Sequence, residues 1–272
     1  MEPLDSRIHN AIAAGPDAIG PMLRDPSDKV ILALIDNPHI TEDQLLILAK
    51  RRDLPGEILG ILSARKFSVE GYKVKLALVN NPKTPRRTAL SIVRGLAVRD
   101  MAFVTRNKML PTELRQAAEG MLKERIPSLP MGIKVTLSRQ VSEEVLKVML
   151  KDGTPQLIRA CFENPMMRES VLVWALNHET VPAAVIEFIA ASPKWSAPPN
   201  VKYALVRNSN TPIGDAIRFA REMKSQDQRM LYNDPTVPVN VKVQIEIELE
   251  KKGLPLSPPS ESGRIICIPE DL

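Results

Sequence analysis

The sequence contains few aromatic residues, few glycines and only two cysteines. Aromatic side chains make up 4% of the 272 residues, so aliphatic side chains must form most of any core. Cys161 and Cys267 lie far apart, which gives neither a disulfide framework nor a closely spaced metal motif. Long apolar runs are missing, as is a basic region followed by an apolar one near the first residue. We therefore expect no membrane span, no signal peptide and a cytoplasmic location.

Recognisable catalytic signatures are also missing. The three histidines, His9, His39 and His178, have no His, Cys or acidic partner at metal-ligand spacing. The 12 glycines are scattered and form no phosphate-binding loop, and no nucleophile can be paired with a base by its spacing. We therefore expect a protein that is not an enzyme and that needs neither a metal nor a cofactor.

Proline is abundant, and part of its pattern occurs twice. The stretch "ALVNNPKTP" (Ala77 to Pro85) returns as "ALVRNSNTP" (Ala204 to Pro212), 127 positions later. At this offset residues 3–129 align with residues 130–256 without a gap, and 27 positions are identical. Average residue usage would give roughly 6% identity, or about eight positions. The excess predicts a tandem duplication.

The repeated stretch has the features of a break between two helices. Asn81 precedes Pro82, which disfavours the helical conformation at Asn81 and predicts the end of a helix. We expect Thr84 to be the N-cap of the next helix and Pro85 its first residue. Similar helix starts recur in each copy, near Pro16, Thr41, Pro55, Pro85 and Pro111 and near Glu143, Arg168, Pro182, Pro212 and Pro238. This punctuation predicts eight or nine short helices per copy.

Two segments resemble a known repeat family. "NPKTPRRTALSIV" (81–93) and "NSNTPIGDAIRF" (208–219) are similar to the leucine-rich repeat variant unit and its HEAT-like relatives. The resemblance implies an all-α fold, a right-handed α-solenoid of short helical hairpins, here in two tandem copies of about 127 residues. It also implies a scaffold role. Some variant-repeat proteins bind an iron–sulfur centre through an N-terminal cysteine cluster, which is absent here.

The two copies differ in charge. Copy one has 20 basic and 14 acidic residues, whereas copy two has 16 and 14. The basic residues of copy one form either a solvated face or a patch that binds an anionic partner, and Trp195 either contacts a partner or packs in place. The candidate binding residues are Lys50, Arg51, Arg52, Arg86, Arg87, Arg94, Arg99 and Trp195.

Residues 257–272 form a separate tail. It starts in a Pro/Ser-rich linker and ends in "RIICIPEDL" (264–272), which docks on a partner, folds back as a cap or stays disordered. We expect a non-catalytic scaffold that uses an extended helical surface to bind an unidentified protein, with no membrane contact. The alternative is nucleic-acid binding through the basic residues of copy one, as the HEAT-like repeats of alkylpurine DNA glycosylases grip DNA.

Overall fold

A computed structural model describes residues 2–65, 71–254 and 256 of the chain. The described residues form nineteen α-helices and one 3-10 helix, with no strand among them, so the predicted all-α class is confirmed. The predicted tail of residues 257–272 lies outside the described residues. The chain divides into two compact units, one of residues 1–149 with 159–166 and one of residues 150–158 with 167–272. This division comes later than residue 129, where the first sequence copy ends.

Unit one is built from short helices that contact their neighbours one and two places along the chain. Its core is aliphatic, with Ile31, Leu34, Leu48, Leu59 and Leu78 almost completely buried. The helices are α1 (Leu4–Ala13), α2 (Pro16–Met22), α3 (Asp28–Asp36), α4 (Glu42–Lys50), α5 (Gly56–Ala64), α6 (Tyr72–Val79), α7 (Arg86–Val93), α8 (Val98–Arg106), α9 (Thr112–Arg125), the 3-10 helix Ile126–Ser128 and α10 (Met131–Ser138). The helices α11 (Glu143–Leu150) and α12 (Pro155–Phe162) each contribute residues to both units.

Unit two has the same pattern of short helices in contact with near neighbours. Its buried residues include Val171, Ile186, Leu205, Phe219 and Ile245. Its helices are α13 (Glu169–Leu176), α14 (Ala183–Ala191), α15 (Pro193–Ser196), α16 (Pro199–Arg207), α17 (Ile213–Glu222), α18 (Ser225–Asn233) and α19 (Val239–Lys251). Burial of each large aliphatic side chain contributes about 1.5–3 kcal/mol, and most of the buried residues in both cores are aliphatic.

Proline explains why the helices are short and where they begin. A proline with an extended backbone occupies the N-cap position of nine of the described α-helices, and all of these prolines except Pro3 lie between two helices. Proline suits this position because it has no N–H to donate and its φ is fixed near −65°. All ten predicted helix starts are confirmed to within one residue. Residues 3–129 contain nine described α-helices, within the predicted eight or nine, and residues 130–256 contain ten. The additional helix, α15, lies at positions equivalent to residues 66–69, which are outside the described residues.

The predicted role of Thr84 is wrong. Pro85 is the N-cap of α7, and the Thr84 side chain makes no capping hydrogen bond. The Thr84 hydroxyl is buried and donates instead to the Leu78 carbonyl oxygen at 2.6 Å, near the end of the preceding helix. The hydroxyl therefore pairs with a carbonyl oxygen at the end of α6 and does not cap the start of α7.

Candidate binding grooves

Asparagines shape the turns between helices. Asn37, Asn81, Asn107, Asn164 and Asn208 each follow a helix, and each side-chain oxygen accepts a hydrogen bond from the backbone N–H two residues later. This arrangement is an Asx turn, which asparagine forms readily because its short side chain imitates the backbone. The turns hold the ends of neighbouring helices in fixed positions, and the grooves described below lie at these ends.

The amide groups of the same asparagines bind an earlier helix end. Asn81 Nδ2 donates to the carbonyl oxygens of Ala49 at 2.9 Å and Arg51 at 2.8 Å. Asn208 Nδ2 donates to Leu176 at 2.5 Å, and both members of this pair lie 127 positions after Asn81 and Ala49. Asn81 is only 5% exposed, so its polar atoms depend mainly on these partners.

The equivalent bonds of Asn37 and Asn164 follow the same rule. Asn37 Nδ2 donates to Ala11 at 2.8 Å and Ala14 at 3.0 Å. Asn164 Nδ2 donates to Ser138 at 2.6 Å and to the residue three positions later at 3.1 Å. Asn164 lies 127 positions after Asn37, and its two acceptors lie 127 positions after Ala11 and Ala14.

A groove of about 520 Å³ lies beside one of these turns in unit one, and we call it the basic groove. It runs between α4 and α6 and is lined by Leu46, Lys50, Arg52, Lys73, Leu76, Ala77, Asn80 and Asn81. Leu46 and Ala77 are partly buried and pack against the hydrophobic core. The apolar floor is therefore held in place by the core beneath it.

Three cations surround this floor. Lys50, Arg52 and Lys73 are all exposed, and within residues 2–65, 71–254 and 256 none of them forms an ion pair. Asp53, the acid closest in sequence to Lys50 and Arg52, is bound by the neighbouring Arg51, whose hydrogen bond keeps the pKa of Asp53 below its ordinary value. The basic groove thus presents positive charge around an apolar surface.

A second, smaller depression lies in unit one. It has a volume of about 460 Å³ and is lined by Phe103, Arg106, Asn107, Lys108 and Gln140. Asn107 Nδ2 donates to Asn80 Oδ1 at 3.0 Å, and this bond joins a lining residue of the depression to a lining residue of the basic groove. Phe103 is 63% exposed, which makes it a large apolar side chain available for contact.

The structure brings together only two of the candidate binding residues, Lys50 and Arg52. Arg51, which lies between them in sequence, has a structural role. Its guanidinium donates to the carbonyl oxygens of Leu23 at 2.6 Å and Asp25 at 3.1 Å, and it pairs with Asp53 at 2.6 Å. Only 14% of the Arg51 side chain is exposed, so it links two turns instead of facing solvent.

The other candidates lie away from the basic groove lining. Arg86 pairs with Glu113 at 2.8 Å, with both side chains more than half exposed. Arg87, Arg94 and Arg99 are exposed, and their side chains form no ion pair with the part of the chain that the structure describes. In unit two, Trp195 lies on α15 and is half-buried, with the Lys194 ammonium 4.2 Å from its ring centroid.

Sequence reasoning missed Lys73 and the apolar floor. A signal was present, because Lys73, Leu76 and Ala77 are spaced to share one face of α6. Leu46 and Lys50 have the same four-residue spacing on α4. The packing of α4 against α6, which joins these two faces, is not encoded in either helix alone.

Unit two has a groove at the equivalent sequence positions, and we call it the polar groove. It has a volume of about 420 Å³ and is lined by Leu176, Asn177, His178, Glu179, Val181, Ala204, Arg207, Asn208, Ser209, Asn210 and Thr236. At the 127-residue offset Lys50 becomes Asn177 and Arg52 becomes Glu179. The polar groove therefore has no counterpart of Lys50 or Arg52, and the arginine that lines it, Arg207, is paired with Asp234.

Comparisons of the chain with family models, with curated proteins and with solved structures found no match. Among the helices that the structure describes, none is long and apolar enough to cross a membrane. A search of the same residues found no group of His, Cys, Asp and Glu side chains that could hold a metal ion. Inference about function therefore depends on the grooves themselves.

Proposed function

We propose that this chain is a non-catalytic scaffold that binds a protein partner in the cytoplasm. The observation that carries the proposal is the basic groove, in which Lys50, Arg52 and Lys73 stand around an apolar floor. A preformed concave surface that combines apolar contact with a few placed charges is typical of recognition sites. Its cations are exposed and remain available to an incoming partner.

We further propose that the scaffold is an α-solenoid made of two tandem copies, related to leucine-rich repeat variant and HEAT-like proteins. The helix starts support this proposal, because those of α1 to α5 recur 127 positions later in α10 to α14. The starts of α7, α8 and α9 recur in the same way in α17, α18 and α19. The hydrogen bonds of the turn asparagines recur at the same offset. A stack of helical units suits a scaffold, since it extends a binding surface along its length.

Nucleic-acid binding is the second candidate. It is favoured by Phe103, an exposed aromatic ring in the same depression as Arg106 and Lys108, because bases stack on aromatic side chains beside cations. The apolar floor of the basic groove favours protein instead, since the phosphate backbone that dominates nucleic-acid affinity gains nothing from an apolar surface. A salt-titrated DNA-binding assay tests this candidate, and undetectable binding at about 50 mM salt excludes it.

Photo-cross-linking tests the scaffold proposal. A photoreactive amino acid replaces Leu76, which lines the basic groove, and the full chain is irradiated in an extract of its own cells. We expect an adduct that protease removes and nuclease leaves intact, and that is lost when Lys50→Asn and Arg52→Glu are added. The matched control places the same photoreactive residue at Ile61, an exposed apolar position on α5 outside the groove lining. A nuclease-sensitive adduct, or equal adducts at both positions, overturns the proposal.

A further inference from the structure

We propose that the basic groove binds an acidic protein segment that carries apolar side chains, and that the polar groove of unit two does not. This inference rests on the proposed scaffold function and specifies the chemistry of the partner. The partner's apolar side chains would lie on Leu46, Leu76 and Ala77. Its carboxylates would face Lys50, Arg52 and Lys73 around them.

The floor determines that the segment must contain apolar side chains. Leu46, Leu76 and Ala77 are only partly buried, so each retains apolar surface that a ligand can cover. Leu46 and Ala77 pack on the core of unit one, which fixes the floor before any ligand arrives. A volume of about 520 Å³ is within the usual range for ligand sites and accommodates a few side chains.

The surrounding charges determine that the segment must be acidic. Lys50, Arg52 and Lys73 are exposed, and no acid among the described residues forms an ion pair with them. Lys83 adds a fourth cation nearby, since its ammonium donates to the Asp53 carbonyl at 3.3 Å. Complementary charge speeds association and rejects partners of the wrong sign.

Unit two provides an internal comparison at equivalent sequence positions. Asn177 and Glu179 replace Lys50 and Arg52, and Asn200 replaces Lys73. The Asn200 side chain donates to Glu169 at 2.8 Å, so this position is engaged within unit two. Arg207 does line the polar groove, but it pairs with Asp234 at 2.6 Å, and Asn200 lies outside the lining. The equivalent positions in unit two thus carry no cation, which indicates that the cations of unit one are not needed for the turn itself.

The experiment uses short fluorescent peptides and the full chain. The first peptide alternates Glu with Leu, the second replaces each Glu by Lys, and the third replaces each Leu by Ser. Anisotropy titrations should show the tightest binding for the Glu-Leu peptide. The Lys-Leu and Glu-Ser peptides should bind at least about tenfold more weakly. Equal binding of the Glu-Ser peptide overturns the role of the floor, and equal binding of the Lys-Leu peptide overturns the role of the cations.

Matched variants locate the site. Lys50→Asn with Arg52→Glu gives the basic groove the residues of unit two, and we expect Glu-Leu binding to fall at least about tenfold. Arg99→Asn with Arg87→Glu makes the same change of charge at exposed residues outside the groove lining and should leave binding within about twofold. Similar losses in both double variants would mean diffuse attraction to a basic protein and would overturn the proposal. Thermal unfolding of each variant, followed by circular dichroism, checks that both remain folded.

A further titration separates failure of this inference from failure of the scaffold function. A short single-stranded DNA of mixed sequence is tested on the same variants. Stronger binding of the DNA than of the Glu-Leu peptide, lost on Lys50→Asn with Arg52→Glu, overturns both proposals. Absence of peptide binding, while a groove-specific protein adduct still forms at Leu76, overturns the acidic-segment inference and leaves the scaffold function in place.

Discussion

Arg207 and Asp234 form an ion pair in unit two, with Arg207 Nε 2.6 Å from Asp234 Oδ2. The positions 127 residues earlier are Asn80 and Asn107, and there Asn107 Nδ2 donates to Asn80 Oδ1 at 3.0 Å. The two sites therefore use different chemistry for the same connection, which joins the end of one helix to the end of the second helix along the chain. In unit one an amide binds an amide, and in unit two a guanidinium binds a carboxylate.

This relationship predicts that Arg207 and Asp234 act as a unit. Arg207→Asn and Asp234→Asn should each lower the free energy of unfolding by about 1 kcal/mol, because each leaves a partner unpaired. The double variant recreates the amide pair of unit one and should cost about as much as one single change, a coupling of about 0.5–1 kcal/mol. Urea unfolding of the four proteins measures this. Arg86 and Glu113, both more than half exposed, form the control pair and should show almost no coupling. Additive losses of unfolding free energy for the Arg207 and Asp234 substitutions would contradict the prediction.

Asp234 should also make stability depend on pH. The hydroxyl and backbone N–H of Thr236 donate to its carboxylate and, with Arg207 nearby, keep its pKa below the ordinary value of 3.8. Because the folded pKa lies below the unfolded one, this contribution is present above the unfolded pKa and is lost as the pH falls through the folded pKa. As the pH falls from about 5 to about 3, the free energy of unfolding should therefore decrease less in the Asp234→Asn variant than in the natural protein. Urea midpoints across that range give the comparison, and parallel losses in the two proteins would refute it.

Asn81 should be essential to the turn that supports the basic groove. Asn81→Ala leaves the carbonyl oxygens of Ala49 and Arg51 and the N–H of Lys83 without their side-chain partner in a buried site. We expect a loss of about 2–3 kcal/mol in the free energy of unfolding. The control is Asn177→Ala, an exposed asparagine that bonds only within its own helix end, which should change stability by no more than about 0.5 kcal/mol. Equal effects of the two substitutions would contradict the assignment.

Arg51 and Arg52 should separate stability from binding. Arg51→Ala removes hydrogen bonds to two backbone carbonyls and should cost about 1–2 kcal/mol of stability. Arg52→Ala should change stability by less than about 0.5 kcal/mol and yet weaken binding of the Glu-Leu peptide. Chemical unfolding and anisotropy titration of both variants test the pair. If Arg52→Ala destabilises as much as Arg51→Ala, the division of roles is wrong.

The sequence predicts much of the fold because proline and asparagine act locally. Prolines such as Pro55 and Pro85 fix φ and remove a donor, so they locate helix starts without knowledge of tertiary contacts. The role of Thr84 was predicted incorrectly because a hydroxyl before a helix can serve either helix, and the choice depends on how tightly the turn is buried.

The candidate site is less predictable from sequence. The comparison of copies identified Lys50 and Arg52, but it could not separate them from Arg51, whose direction depends on the distant Leu23 and Asp25 carbonyls. Lys73 joins the site only because α6 packs against α4. Sequence patterns describe one helix face at a time, whereas a groove requires two.

Methyl NMR spectroscopy during titration with the Glu-Leu peptide tests the central claim most directly. The basic groove predicts saturable shifts of the Leu46 and Leu76 methyl signals, which line its floor. Leu48 is completely buried in the same unit and should be almost unaffected, and Ile186 in unit two should not respond. Unshifted Leu46 and Leu76 signals in the presence of bound peptide, or equal shifts in both units, would contradict the account.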